Sequence, residues 1–113
     1  MTVQTVREAD FQQAVAEFAQ LVGWRVAHFR PARNHRGRHM TPVAYDGVGW
    51  PDLVLVRDRL IVAELKTKQG RVTDQQQAWL DALAAAGVET YLWRPDDWPD
   101  IEAVLTRRRP EGH

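Results

Sequence analysis

The sequence predicts a single α/β domain in which the elements follow the order α-β-β-β-α-β around a mixed central sheet. Three observations predict this fold class: an amphipathic helix near the start, two adjacent apolar runs that form a hairpin, and a second helix followed by a short apolar strand. A chain of 113 residues can bury one small core without disulfides or a structural metal. We expect the core to span about residues 6–94, with a polar tail at 106–113.

The first helix is predicted from Val6 to Leu21. Phe11, Val15 and Phe18 recur at the spacing of one helical face. Gly23 follows as a natural C-terminal stop.

A strand is predicted from Trp24 to Phe29, because its side chains alternate in character. The segment from Pro31 to Trp50 contains Pro, Gly and most of an acid-free cluster of Arg and His residues that begins at Arg25, so we expect a long basic loop there. His35 and His39 are four residues apart, but in a loop no helix brings them together. A phosphate contact is therefore favoured over a metal role for this pair.

The central hairpin consists of two apolar, partly β-branched runs, Leu53–Val56 and Leu60–Ala63. The charged segment Arg57-Asp58-Arg59 separates them and forms the turn. Polar residues at the open end of this hairpin are the strongest candidates for a functional site.

Alternation along the second hairpin strand places Glu64 and Lys66 on one face and Leu65 on the other. Asp52 shares the face of Glu64 only if an even-numbered residue lies opposite it. A three-residue loop at 58–60 gives such a register, with Asp52 opposite Lys66. We therefore expect two carboxylates and a lysine to converge.

The second helix is predicted from Asp74 to Ala86, and Gly87 ends it. Thr73 is a good N-cap, and Gln76 three residues later completes a capping box. The helix precedes a final strand, so a parallel strand–helix–strand unit is expected.

The final strand is predicted from Val88 to Trp93, parallel to the strand that begins near Ile61. A turn at Pro95–Pro99 and a short helix at Ile101–Leu105 complete the fold.

Three of the five tryptophans, Trp24, Trp79 and Trp93, occupy apolar-patterned positions and are expected in the core. Trp50 adjoins the candidate site, where core or dimer packing is favoured over stacking on a base.

The formal net charge is zero, with 15 basic and 15 acidic residues, which argues against a nucleic-acid binder that relies on overall positive charge. The charges are unevenly distributed, however, so a local basic stripe is expected. Its candidate DNA-contacting residues are Arg33, Arg36 and Arg38 in the long loop and Lys68 and Arg71 after the hairpin.

The chain contains no cysteine, no N-terminal signal pattern and no apolar run near the ~18 residues that a membrane span needs. We expect a soluble, intracellular, cytoplasmic protein without membrane contact.

Asp52 and Glu64 are candidate ligands for a hard cation, because carboxylate oxygens select Mg²⁺ or Mn²⁺. Lys66 would place a positive charge beside a bound phosphate. A turn-initiating Asp, a solvated Glu and a surface lysine are the simpler explanations. Glu64 argues against them, because it interrupts an apolar run where an unpaired charge is costly.

The order and spacing of five segments resemble the VRR-NUC branch of the PD-(D/E)XK nuclease superfamily. These segments are Glu8-Ala9-Asp10-Phe11-Gln12, Gly49-Trp50-Pro51-Asp52, Glu64-Leu65-Lys66-Thr67, Gly70-Arg71-Val72-Thr73, and Gln76-x-x-Trp79-Leu80-x-x-Leu83 ending at Gly87. The resemblance extends from about residue 8 to residue 93 and implies a restriction-endonuclease-like core.

The resemblance also implies further site residues. The carbonyl group of Leu65 would be an additional metal ligand, and Glu8 would reach the metal site through water, with Glu17 as its competitor on the same helix. Gln76 would contact the site or the DNA backbone, although Gln75 or Gln77 can take its place in this run of three glutamines.

The function implied is a Mg²⁺- or Mn²⁺-dependent endonuclease acting in DNA repair on branched or flapped DNA. It would use no organic cofactor and would act as a homodimer able to present two sites to a Holliday junction. A small domain has little surface for grasping a duplex alone, which independently favours a dimer. A catalytically silent DNA-binding or assembly module, and a restriction-like or RNA-directed nuclease, remain alternatives.

Overall fold

The computed structural model describes residues 7–29, 32–33, 39–40 and 44–109. The elements in chain order are α1 (Glu8–Leu21), β1 (Arg25–His28), β2 (Ala32–Arg33), β3 (His39–Met40), β4 (Leu53–Val56), β5 (Leu60–Leu65), α2 (Asp74–Ala85), β6 (Glu89–Trp93), a 3₁₀ turn (Pro95–Asp97) and α3 (Trp98–Thr106). Within these ranges no helix is long and apolar enough to cross a bilayer.

The central sheet has four strands in the order β1-β4-β5-β6. The β1–β4 and β4–β5 pairs are antiparallel, whereas β5 and β6 are parallel, which confirms the predicted mixed sheet. The segment predicted as one long loop contains a second, two-stranded ladder of β2 and β3. Two-residue strands carry too little alternation to be recognised in a sequence rich in Pro and Gly.

One face of the sheet forms the main core with α1 and α3. It is contributed by the odd-numbered residues of β4 and β5 together with the apolar stripes of both helices: Phe11, Val15, Ala19, Leu53, Leu55, Ile61, Ala63, Leu65, Ile101 and Leu105. Trp24 and Trp93 belong to this core as predicted. Val62 and Glu64 are buried on the opposite face, and Leu80 of α2 is buried outside the main cluster.

Trp79 is not a core residue, contrary to the prediction. Its ring is half-buried and makes an edge contact with Trp50, with ring centroids 4.9 Å apart. Its indole N–H donates to the carbonyl oxygen of Asp46 at 2.9 Å. Helical periodicity placed it correctly on an apolar stripe, but Trp79 itself contacts the segment before β4.

The register of the hairpin differs from the predicted register by two residues. Val54 lies opposite Val62, and the turn consists of residues 57–59. Extended by one residue beyond Leu53, the first residue of β4, this register places Asp52 opposite Glu64, not Lys66. A two-residue shift keeps the same face, so the predicted convergence of the carboxylates holds.

Two arginines of the hairpin turn explain this register. Arg57 donates from Nη1 to the carbonyl oxygens of Val22 and Leu105, each at 3.0 Å. Arg59 donates to the carbonyl oxygen of Val104 at 2.7 Å. The turn therefore donates to carbonyl groups in the last turn of α3, where helical N–H partners run out, and this fixes its own position.

Helix α3 begins at Trp98, three residues before the predicted short helix. Pro99 suits the first helical turn, because its ring fixes a helical φ. A backbone N–H in that turn would have no intrahelical partner, so nothing is lost by the N–H that proline lacks. The predicted turn at Pro95–Pro99 is in fact a 3₁₀ turn that leads directly into the helix.

Candidate active site

Asp52 and Glu64 lie opposite each other on the sheet face that points away from α1 and α3. The side chain of Glu64 is only 1% exposed. Burial, together with a hydrogen bond and the charge from Asp52, raises the pKa of Glu64 to about 9. Burial is the largest cause of this raised pKa, and the nearby Asp52 carboxylate adds to it.

The Asp52 carboxylate is held by the backbone of β5. Its Oδ2 atom accepts the N–H of Leu65 at 2.8 Å. This bond replaces a ladder hydrogen bond just before β4 begins at Leu53, and it orients the carboxylate toward the end of β5.

Pro51 explains why the backbone carbonyl of Leu65 is available beside Asp52. The carbonyl of Asp52 accepts the N–H of Phe29 and so points toward β1. Backbone groups alternate along a strand, so those of Pro51 point toward β5, where the register places Leu65. Because proline has no N–H, it donates no ladder bond to the Leu65 carbonyl oxygen.

The donor set fits a hard divalent cation. Among the described residues, the Oε2 atom of Glu64 is buried and has no hydrogen-bond partner. A buried oxygen in this state is costly unless a cation or water satisfies it. In that same part of the chain no group of three His, Cys, Asp or Glu residues is arranged as a metal site. Asp52, Glu64 and the Leu65 carbonyl stay the predicted ligands.

Lys66 lies beside these carboxylates. Its positive charge lowers the pKa of Glu64, opposing the stronger effects of burial and Asp52. Its backbone N–H donates to the carbonyl oxygen of Trp93 at 3.0 Å, which extends the parallel ladder by one bond and fixes the base of the side chain.

Arg94 positions the turn that follows Lys66, a role that sequence analysis missed. Its Nη1 atom donates to the carbonyl oxygens of Thr67 at 2.6 Å and Gly70 at 2.8 Å. A Cβ atom at Gly70 would lie 3.4 Å from Cδ of Lys66 and 3.1 Å from Oγ1 of Thr67. The predicted parallel pairing of β5 and β6 could have indicated this role, because Arg94 directly follows β6 as Lys66 directly follows β5.

Glu8 is exposed at the start of α1, and its charge contributes to raising the pKa of Glu64. Glu17 does not contribute to this shift; its carboxylate accepts the side-chain amide of Gln13 at 2.9 Å. Of the two glutamates on α1, Glu8 is the one whose charge raises the pKa of Glu64, and its role at the site stays a prediction.

Gln76 forms the predicted capping box. Its Oε1 atom accepts the N–H of Thr73 at 2.9 Å, and its own N–H donates to Oγ1 of Thr73 at 3.1 Å. Gln77 is engaged with Asp81 through an amide–carboxylate hydrogen bond of 2.8 Å, and Gln75 is exposed. A contact of any of these glutamines with DNA stays a prediction.

The predicted DNA-contacting residues fall into two groups. Lys68 and Arg71 are exposed in the segment between β5 and α2. Arg33 lies in β2 but its side chain is outside the described part of the chain, as are Arg36 and Arg38.

Gly49 allows the segment before the site to pack on α2. Its φ is +92°, and a Cβ atom there would lie 2.6 Å from the backbone carbonyl carbon of Gln75. The Gly-Trp-Pro-Asp sequence signals this need, because a glycine directly before a site often marks a close backbone approach.

Comparison with protein families gives one match: the model of the VRR-NUC domain aligns with residues 36–96. This range is more than half of the chain and includes Asp52, Glu64 and Lys66, whereas Glu8 lies outside it. Comparison with curated proteins and with solved structures finds no significant match.

Proposed function

The chain belongs to the VRR-NUC domain family, a membership that implies a nuclease-type function, and we propose that it is a metal-dependent DNA endonuclease that hydrolyses phosphodiester bonds. The observation that carries this proposal is the buried Glu64 carboxyl, which faces Asp52 and has an oxygen without a partner in the described structure. A merely structural glutamate would not be held in this state.

Asp52, Glu64 and the carbonyl oxygen of Leu65 would hold Mg²⁺ or Mn²⁺. When bound, the cation would polarise the phosphate and lower the pKa of a coordinated water. Glu64 must lose its proton to serve as a ligand, so binding would release a proton and strengthen as the pH rises.

Lys66 would act on the phosphate itself. Its ammonium group would stabilise the negative charge that builds on the phosphate oxygens while water attacks phosphorus and the P–O bond to the leaving strand breaks. The products are a phosphate monoester and a hydroxyl group, and the protein forms no covalent intermediate. Asp52, fixed by the Leu65 N–H, keeps the ligand geometry constant.

The finer proposal is a preference for branched or flapped DNA, including Holliday junctions, and action as a homodimer in DNA repair. Its support is the small size of the domain and the absence of net charge, since a single copy presents little basic surface to a duplex.

The test is a cleavage panel of flap, junction, duplex and single-stranded DNA, with single-stranded RNA alongside, in Mg²⁺ or Mn²⁺. Asp52→Asn and Glu64→Gln should each abolish cleavage, whereas Glu17→Gln, an acid on α1 that does not affect Glu64, should leave the rate unchanged. DNA binding without cleavage by the wild type would refute the enzyme and favour the silent module. Cleavage of RNA in preference to DNA would refute the substrate.

A further inference from the structure

Two apolar side chains lie on either side of the paired carboxylates. Continued by one residue, the register of β1 and β4 pairs Phe29 with Asp52, and the N–H of Phe29 donates to the Asp52 carbonyl oxygen at 2.8 Å. The parallel register of β5 and β6 pairs Glu64 with Leu92. Opposed residues project from the same face of a sheet, so Phe29, Asp52, Glu64 and Leu92 form one row.

Both ends of this row are exposed, although its centre is buried. Phe29 is 49% exposed and Leu92 is 36% exposed, whereas Glu64 is 1% exposed. Phe29 follows the last residue of β1, the edge strand of the sheet, so within the described part of the chain no further strand of this sheet lies beyond it. An aromatic ring therefore stands next to the carboxylates with one side open to a ligand.

The position of the ring suits one part of a nucleic acid. The Cβ atoms of directly opposed residues are about 4.5–5.5 Å apart, which is within the length of a single nucleotide. A phosphate bound through a cation at Asp52 and Glu64 would thus bring an adjoining base within reach of Phe29. Every base has a π-face that stacks on an aromatic side chain regardless of sequence.

We propose that Phe29 stacks on the nucleobase adjoining the phosphate held at the Asp52–Glu64 site, so that the site takes a strand whose base is unpaired and unstacked at that position. Inside a continuous duplex, both faces of every base are covered by neighbouring bases. The substrate class is therefore single-stranded DNA or the single-stranded arm of a flap. This inference rests on the proposed nuclease function and deepens it.

The experiment removes one base at a time from a single-stranded substrate, by abasic replacement at each position around the cleaved phosphate. Wild type, Phe29→Ala, Phe29→Leu and Phe29→Trp are compared by kcat/KM and, with fluorescent oligonucleotides, by Kd from anisotropy. Leu60→Ala is the matched control, since Leu60 is 43% exposed on the same sheet face but at the turn end of the hairpin.

One abasic position should cost the wild type about 5- to 150-fold, the range of one base–aromatic stack. The same position should cost Phe29→Ala and Phe29→Leu almost nothing, because the stack is already lost. Phe29→Trp and Leu60→Ala should behave like the wild type. This position-specific loss of sensitivity does not arise from a general effect on folding, which would weaken all substrates alike.

Equal abasic penalties in wild type and Phe29→Ala would overturn the inference. A change in sedimentation of Phe29→Ala with unchanged penalties would also overturn it, since Phe29 would then contact another protein chain. If the wild type cleaves no substrate, the proposed function fails, yet the Kd series still decides whether Phe29 senses a base.

Discussion

Replacing Glu64 by glutamine should stabilise the protein at neutral pH when metal is absent, although the same change should abolish cleavage. Glutamine has nearly the same shape but no proton to lose. In the wild type, the folded state holds the Glu64 proton up to a pKa of about 9, whereas the ordinary value is 4.5. The folded state therefore binds this proton more tightly, and stability falls as the pH rises from 4.5 to about 9.

The expected size follows from these two values. Each pH unit in that window costs about 1.36 kcal/mol of unfolding free energy, so at pH 7 the wild type has lost on the order of 3 kcal/mol relative to acid pH. Glu64→Gln does not suffer this loss. For a domain of this size about 1 kcal/mol shifts the Tm by about 4 °C, so we expect a Tm about 12 °C higher at pH 7.

The assay is thermal unfolding followed by circular dichroism in a chelator, between about pH 5 and pH 9. The Tm of the wild type should fall across this range, whereas that of Glu64→Gln should stay nearly level. Glu17→Gln is the control, because its carboxylate is exposed and should leave the wild-type slope intact. Millimolar Mg²⁺ should raise the Tm of the wild type at the alkaline end, by mass action on the folded state, and should not raise that of Glu64→Gln.

A Glu64→Gln variant with the same pH slope as the wild type would refute this reasoning. So would a lower Tm at pH 7, because Glu64 would then be a stabilising ionised group in the folded protein. Absence of a Mg²⁺ effect on the wild type would separately refute the proposed metal site.

Three further predictions concern other parts of the molecule. Gly49→Ala should lower the Tm by destabilising the fold by about 2 kcal/mol or more, because the added Cβ would meet Gln75 within 4 Å. Gly87→Ala should cost only about 1 kcal/mol of backbone strain. Both glycines have a φ near +90°, but no atom lies within 4 Å of a Cβ added at Gly87. Equal losses would show that the approach to Gln75 is unimportant. Lys66→Ala should lower kcat about 10²- to 10³-fold with little change in Tm, and an unchanged kcat would remove it from the mechanism. Neutralising the basic loop should weaken DNA binding and flatten its salt dependence by about one unit per lost phosphate contact, and an unchanged slope would place the DNA elsewhere; the residues to replace are Arg33, Arg36 and Arg38.

Local patterns were sufficient to predict most of the fold. The face of α1 that contains Phe11 and Val15 is buried as its spacing indicates, and the Thr73 capping box starts α2 at the predicted residue. These features depend on residues close together in the sequence, where propensity and periodicity act directly.

The predictions were wrong where contacts between residues distant in the sequence determine the structure. The turn at 57–59 has no composition that separates it from a turn at 58–60. The register is instead fixed by Arg57 and Arg59 binding to carbonyl groups of α3, about 45 residues away in the chain. Trp79 was misplaced for the same reason, because its partner is the carbonyl of Asp46.

Within the candidate site, the convergence of Asp52 and Glu64 followed from the alternation of strand side chains together with a three-residue hairpin loop. The hydrogen bond from the Leu65 N–H to Asp52 could not be predicted in this way, because it depends on β4 beginning exactly at Leu53. Arg94 was missed because its role is to bind two carbonyl groups of a turn, which leaves no trace in residue type.

The arginine contacts of the hairpin turn also bear on how the chain folds. One end of the hairpin is correct only when Arg57 and Arg59 meet α3, and the other only when Asp52 meets the Leu65 N–H. A slip of one residue would turn Asp52 toward the main core, and a slip of two would break the Asp52 bond. Wrongly paired hairpins thus lose stabilisation at both ends when α3 docks, so docking of α3 should favour the correctly paired hairpin. The register of the hairpin and the position of the acidic pair are consequently determined together during folding, before any metal or DNA binds.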